Sequence, residues 1–143
     1  MNKFLLLLVV FFTCVSAVEA QSGTISGKLV YPGDGIPRDL VVCAKSIDVN
    51  TAVMYCSNGK ASSLRAAKVR FKLNFRTAVY EAVLPAGTYQ LYATTSEMPG
   101  HKAFYNDFVR CGMSVHCHSK RPISVKVDTG QRVKGITIGD FWE

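Results

Sequence analysis

Lys68-Val69-Arg70-Phe71-Lys72-Leu73-Asn74-Phe75-Arg76 decides the fold. Val69, Phe71, Leu73 and Phe75 are apolar, and Lys68, Arg70, Lys72, Asn74 and Arg76 sit between and around them. A period of two over this run places the apolar set on one face of an extended strand and the four cations on the other. Wound as a helix, the same residues would spread around the whole cylinder. Just downstream, Tyr80, Ala82 and Leu84 alternate in the opposite parity, so the phase slips within 76–79 and predicts a bulge or a strand break there. Pro85-Ala86-Gly87 is turn chemistry, and residues 88–94 again alternate, with Tyr89, Leu91 and Ala93 in step.

The pattern extends outward in both directions. Residues 24–31 carry Ile25, Leu29 and Tyr31 on one side and end at the turn Pro32-Gly33-Asp34-Gly35. Residues 40–44 and 51–56 read as apolar strands. An irregular stretch from Met98 to about Phe108 precedes a strand with Ile123, Val125 and Val127 in step. The turn Asp128-Thr129-Gly130 leads to a last strand, 135–141, with Ile136 and Ile138 on one face. Only 62–68 has a helical flavour, and it is too short to matter. About seven short strands separated by Gly, Pro, Asn and Asp turns predict an all-β sandwich, one domain over residues 21–143.

Residues 1–20 read as an address. A positive start at Lys3, the apolar run from Phe4 to Phe12, and Val18 and Ala20 at the −3 and −1 positions make a secretory signal peptide. Its removal takes away Lys3 and Glu19 and leaves the formal charge at +7. No later stretch is long and apolar enough for a membrane span, so a secreted or periplasmic protein is expected. Cys43, Cys56, Cys111 and Cys117 remain beyond the leader, and an even number in an exported chain reads as two disulfides. Four cysteines allow three pairings; the local one, Cys43–Cys56 with Cys111–Cys117, is the simplest.

Three segments carry a family resemblance. They are GTISGKLVYPGDGIPRDLVVCA (23–44), YEAVLPAGTYQLYA (80–93), and FVRCGMSVHCHSKRP with ISVKVDTGQRVKGITIGDFW (108–142). Together they resemble the carboxypeptidase regulatory-like family, and in particular its single-domain secreted bacterial members. The resemblance implies a prealbumin-like (transthyretin-like) Greek-key sandwich. It also implies that Pro85 and Gly87 form a hairpin turn with Tyr80 and Tyr89 on one face of the pleat. In carboxypeptidases this domain is a non-catalytic neighbour of the peptidase, so no catalytic residues carry over. The grouping of the fold with carbohydrate-binding sandwiches points to a glycan. The chain departs from the family pattern at 60–76.

Chemistry is sparse along the chain. His101, His116 and His118 are followed three residues later by Phe104, Ser119 and Arg121, so no zinc-peptidase motif is present. There is no nucleophile elbow and no phosphate-cradling glycine loop. The protein reads as a non-enzyme without a cofactor. His116 and His118 lie two residues apart and are weak metal candidates, the basis of an alternative reading as a periplasmic metal binder. The stronger signal is basic: no acidic residue occurs between Asp48 and Glu81, and Lys68, Arg70, Lys72 and Arg76 form a ladder suited to an anionic surface. Export separates the chain from nucleic acid, and no aromatics interleave on the cationic face. Phe104, Tyr105 and Trp142 are candidates for a glycan platform. The expected partner is therefore an envelope or extracellular carbohydrate or another anionic surface; the alternative is a structural or adhesive subunit that self-associates through strand edges.

Overall fold

The structure, a computed structural model, describes residues 21–48, 53–59 and 69–142. The leader, Lys68 and the 62–68 stretch lie outside these residues. Nine strands occur among the described residues: β1 Ser22–Lys28, β2 Val41–Ser46, β3 Met54–Cys56, β4 Arg70–Asn74, β5 Val79–Pro85, β6 Gly87–Thr94, β7 Ala103–Phe104, β8 Ser124–Val127 and β9 Arg132–Val133. A four-residue helix, α1 (Asp107–Arg110), follows β7. The excess over the expected seven comes from β7 and β9, which are two residues long.

Two mostly antiparallel sheets face one another as a β-sandwich. Sheet I runs β4-β5-β1-β9, and sheet II runs β3-β2-β6-β7 with β8 also on β6. Alternation explains the core between them. Ile25, Tyr80, Ala82 and Leu84 enter it from sheet I; Val42, Ala44, Tyr89, Leu91, Ala93, Val125 and Val127 enter it from sheet II. Phe71 and Leu73 of β4 pack against its margin, and Arg70, Lys72 and Asn74 turn outward, as the alternation of this stretch predicts.

The phase slip resolves into a strand break. Residues 75–78 form the turn of a β4–β5 hairpin, with Asn74 Oδ1 accepting from the amides of Arg76 and Thr77, both at 3.1 Å. Ala78 closes it with a positive φ of 52°, a conformation an L side chain rarely adopts.

Residues 85–87 depart from the expected hairpin. β5 pairs with β1 and β4, whereas β6 pairs with β2, β7 and β8, so the turn is a corner where the chain changes sheets. Tyr80 and Tyr89 therefore reach the core from opposite walls. The Tyr89 hydroxyl pins the corner by donating to the Pro85 carbonyl (2.9 Å), and Thr88 N donates to Asp48 Oδ2 (3.0 Å).

The C-terminal run lies parallel to β1. β9 supplies two rungs, and Leu29↔Ile138 adds an isolated bridge further along. Ile136 and Ile138 are both buried, as expected, but the ladder between the two contacts is broken at Gly135 (φ 79°). Gly27 of β1 has no room for a side chain, because a Cβ there would collide with the Ile136 carbonyl. That carbonyl instead accepts from the Tyr80 hydroxyl (2.8 Å), which ties the run to the core.

Both local disulfides are present. Cys43–Cys56 links directly opposed residues of β2 and β3, and Cys111–Cys117 closes a short loop after α1. Disulfides of this kind suit an oxidising compartment outside the cytosol. No described helix is long and apolar enough to cross a membrane.

Candidate ligand-binding face

The geometry of the basic ladder follows from register. Arg70 is opposite Val83, which is opposite Thr24, which is opposite Arg132. One row along, Lys72 faces Glu81 and then Ser26; the next row holds Asn74, Val79 and Lys28. Directly paired residues share a face, so Arg70, Lys72, Lys28 and Arg132 all stand on the outer surface of sheet I. Same-face residues along a strand are about 7 Å apart and adjacent strands about 4.8 Å apart. The four cations thus stand roughly 7–17 Å apart, with Val83, Glu81 and Val79 of β5 and the short polar Thr24 and Ser26 of β1 between them.

Glu81 is the one carboxylate in these rows, and it does not close an ion pair with Lys72. Among the described residues none of Lys28, Arg70, Lys72 and Arg132 has an ion-pair partner. All four are exposed. A shallow, open cleft of about 650 Å³ lies on this face, with Lys28 and Lys72 on its walls and Ser26, Asn74 and Glu81 between them. Its floor is the Gly27 backbone and the adjoining Tyr80 and Gly135. The arrangement presents positive charge and short hydrogen-bonding groups to solvent.

The sequence candidates fall into separate places. Arg70 and Lys72 belong to this face. Arg76 sits in the turn beyond β4 and is exposed there, off the ladder. Lys28 and Arg132 are members that the local pattern did not expose, because they lie on distant strands and only pairing brings them beside Arg70. The polar alternation Thr24-Ser26-Lys28 was the available signal that Lys28 points outward.

The aromatic candidates do not assemble into one platform. Phe104 packs its ring on Tyr92 (5.2 Å between centroids) on the outer side of sheet II, within a small cluster of Cys43, Cys56, Val41 and Met54. Tyr105, the next residue, packs against the main core instead. Trp142 is partly exposed near the chain end, where its carbonyl accepts from the Lys120 ammonium.

His116 and His118 lie in the loop around Cys111–Cys117 rather than on a strand, and both are exposed. They line a hollow of about 350 Å³ together with Arg110, Arg121 and Asp107. Among the described residues no group of three or more His, Cys, Asp or Glu is placed to hold a metal ion.

Asp39 shows what a carboxylate does elsewhere in this molecule. It accepts from the Ser96 hydroxyl, the Ser96 amide (2.7 Å) and the Thr95 hydroxyl, and the Ser96 contacts chiefly hold its carboxyl below the usual carboxylate range. It is a loop clasp rather than an acid or base poised over a cleft. Set against family models, curated proteins and solved structures, the chain matches none of them.

Proposed function

We propose that this protein is a secreted or periplasmic, non-catalytic binding module that engages an anionic cell-envelope or extracellular carbohydrate through the outer face of sheet I. The carboxypeptidase regulatory-like resemblance and its prealbumin-like Greek-key topology belong to the same reading. The observation that carries it is the convergence of Arg70, Lys72, Lys28 and Arg132 on one surface with no ion-pair partner among the described residues. Exposed cations in such a lattice attract repeating anionic groups, and salt screens the attraction. Ser26, Thr24 and Asn74 between them supply hydroxyl and amide groups of the kind that bind sugar hydroxyls.

Heparin, a sulfated polysaccharide, is the probe. The protein is expected to be retained on a heparin column at low salt and released as salt rises, with no retention on neutral dextran. R70E/K72E is expected to elute at markedly lower salt, and K28E/R132E to shift elution in the same direction. Unaltered elution of both double variants would overturn the reading.

A further inference from the structure

Residues 107–121 form an appendage to the sandwich, tied to the C-terminal run through Lys120 and Asp140 (3.4 Å). β7 and β8 lie on the same side of β6, and the chain between them leaves the sheet and returns. Its base is closed by the Asn106↔Pro122 bridge, by Asp107 N donating to the Arg121 carbonyl (3.1 Å) and by Ile123 N donating to the Tyr105 carbonyl (3.0 Å). Between those anchors Val109 alone is buried. Yet the segment is braced throughout. Asn106 Oδ1 caps α1 through the Val109 amide (2.9 Å), Asp107 Oδ2 accepts from the Ser119 hydroxyl (2.9 Å), and Cys111–Cys117 closes the tip. Ordering a chain that buries almost nothing opposes folding, so a braced and exposed loop points to a task at its tip.

The chemistry of the tip is amphipathic. Val115 is 87% exposed, the most exposed large hydrophobic side chain among the described residues. Arg110 and Arg121, whose side chains are 64% and 81% exposed, belong to the same loop and line one hollow with His116 and His118, the first of which directly follows Val115. Asp107 is the only carboxylate of the appendage, and both arginines contact it (3.3 and 3.5 Å) while their own side chains remain mostly in solvent. The hollow lined by Arg110, His116, His118 and Arg121, with Asp107 also on its wall, gathers two guanidinium forks of the kind that bind phosphate in two-pronged fashion.

An exposed valine on a cationic loop fits one partner surface better than another. A protein partner of ordinary affinity needs about 800 Å² from each side, with an apolar centre. This tip offers one valine. A bilayer interface accepts a small apolar knob among the acyl chains while its phosphates meet the arginines. We propose that the 107–121 appendage docks the protein on anionic membrane surfaces, with Val115 entering the interface and Arg110 and Arg121 on lipid phosphates. This lies beyond the carbohydrate reading and uses none of its residues.

Co-sedimentation with phosphatidylglycerol–phosphatidylcholine vesicles tests it, with pure phosphatidylcholine vesicles alongside. The protein is expected to sediment with the anionic vesicles and not with the zwitterionic ones. Val115→Asn, which keeps the charge, is expected to weaken binding roughly five-fold, and R110Q/R121Q to weaken it at least as much. Val115→Asn is expected to leave heparin elution unchanged, so failure here and failure of the carbohydrate reading are separable. The proposal is overturned by absence of sedimentation with anionic vesicles, by equal binding to zwitterionic ones, or by V115N binding as well as the parent. The last result, with loss in R110Q/R121Q alone, would leave simple charge attraction without a docking tip.

Discussion

On the outer face of sheet I, Arg70, Lys72, Lys28 and Arg132 have no ion-pair partner among the described residues. On the outer face of sheet II, Tyr92, Met54, Phe104 and the Cys43–Cys56 bridge bury one another. Both faces are outer faces of a two-layer sandwich, and among the described residues neither is covered by a third layer. Sheet II covers its own. The Tyr92 hydroxyl meets Met54 Sδ (2.8 Å), Phe104 packs against the ring, Lys102 lies above it (5.3 Å), and Tyr92 ends only 4% exposed. A face whose side chains satisfy one another has little left to offer a ligand. Sheet I leaves its four cations without an ion-pair partner among the described residues, which is why the binding reading is proposed for it.

The disulfides offer the largest test of that contrast. Cys43–Cys56 closes a loop with a sequence separation of 13 and forms the middle of the sealed face. Its removal in C43A/C56A is expected to cost about 3 kcal/mol and about 10 °C in Tm by thermal denaturation. C111A/C117A is expected to cost under about 1 kcal/mol, because the appendage can loosen while the core it barely touches stays folded. Equal losses would mean that the appendage is part of the core and that the sealed face is not special.

Tyr80 sharpens the other side of the comparison, because it holds sheet I from behind. Its hydroxyl donates to the Ile136 carbonyl and fastens the C-terminal run beside β1, the strand that carries Lys28. Y80F is expected to cost about 1 kcal/mol in urea denaturation. Burial, with the Tyr105 phenol as a lesser cause, pushes ionisation of the Tyr80 hydroxyl well above the usual tyrosine range. The neutral form is therefore the one that favours the fold. Its contribution is complete below the unfolded value of about pH 10 and is lost as pH rises beyond it. Stability followed from pH 8 to 11 is expected to fall less steeply in Y80F than in the parent. A parallel fall would show that Tyr80 does not carry the alkaline limb and would pass it to the other tyrosines that burial raises, Tyr89, Tyr92 and Tyr55.

The contrast between the faces was only half legible in the sequence. Period two at 68–76 and 80–84 told which residues face inward, and the parity change told where β4 ends, because both are local consequences of the pleat. Pairing is not local. Pro85-Ala86-Gly87 has the same chemistry whether it closes a hairpin or turns a corner between sheets, and the choice is made by what β1 and β2 offer as partners. The parallel contact of β1 with the C-terminal run joins residues more than a hundred positions apart, as at Leu29 and Ile138. Lys28 and Arg132 join the basic face by that same non-local route. The aromatic candidates separate locally: Phe104 ends β7 in the outer cluster of sheet II, whereas Tyr105, just past the strand, packs against the main core.

The smallest expected effect is the finest probe of the cationic face, because it reads the register itself. Arg70 is opposite Val83, whereas Lys72 is opposite Glu81. Reversing either cation leaves the core untouched, so both R70E and K72E are expected to stay within about 0.5 kcal/mol of the parent. They are not expected to be equal. K72E sets a second carboxylate directly across from Glu81, and like charges in that position repel by a few tenths of a kcal/mol, whereas R70E meets only an apolar neighbour. E81K in the K72E background restores an opposite-charge pair and is expected to recover that difference, while E81K with R70E is expected to recover less. The coupling should fade in high salt, since both partners are near solvent. Equal behaviour of the two reversals in low salt would place Lys72 away from Glu81 and undo the row that links β4 to β1. The cations of the two strands would then no longer form one surface.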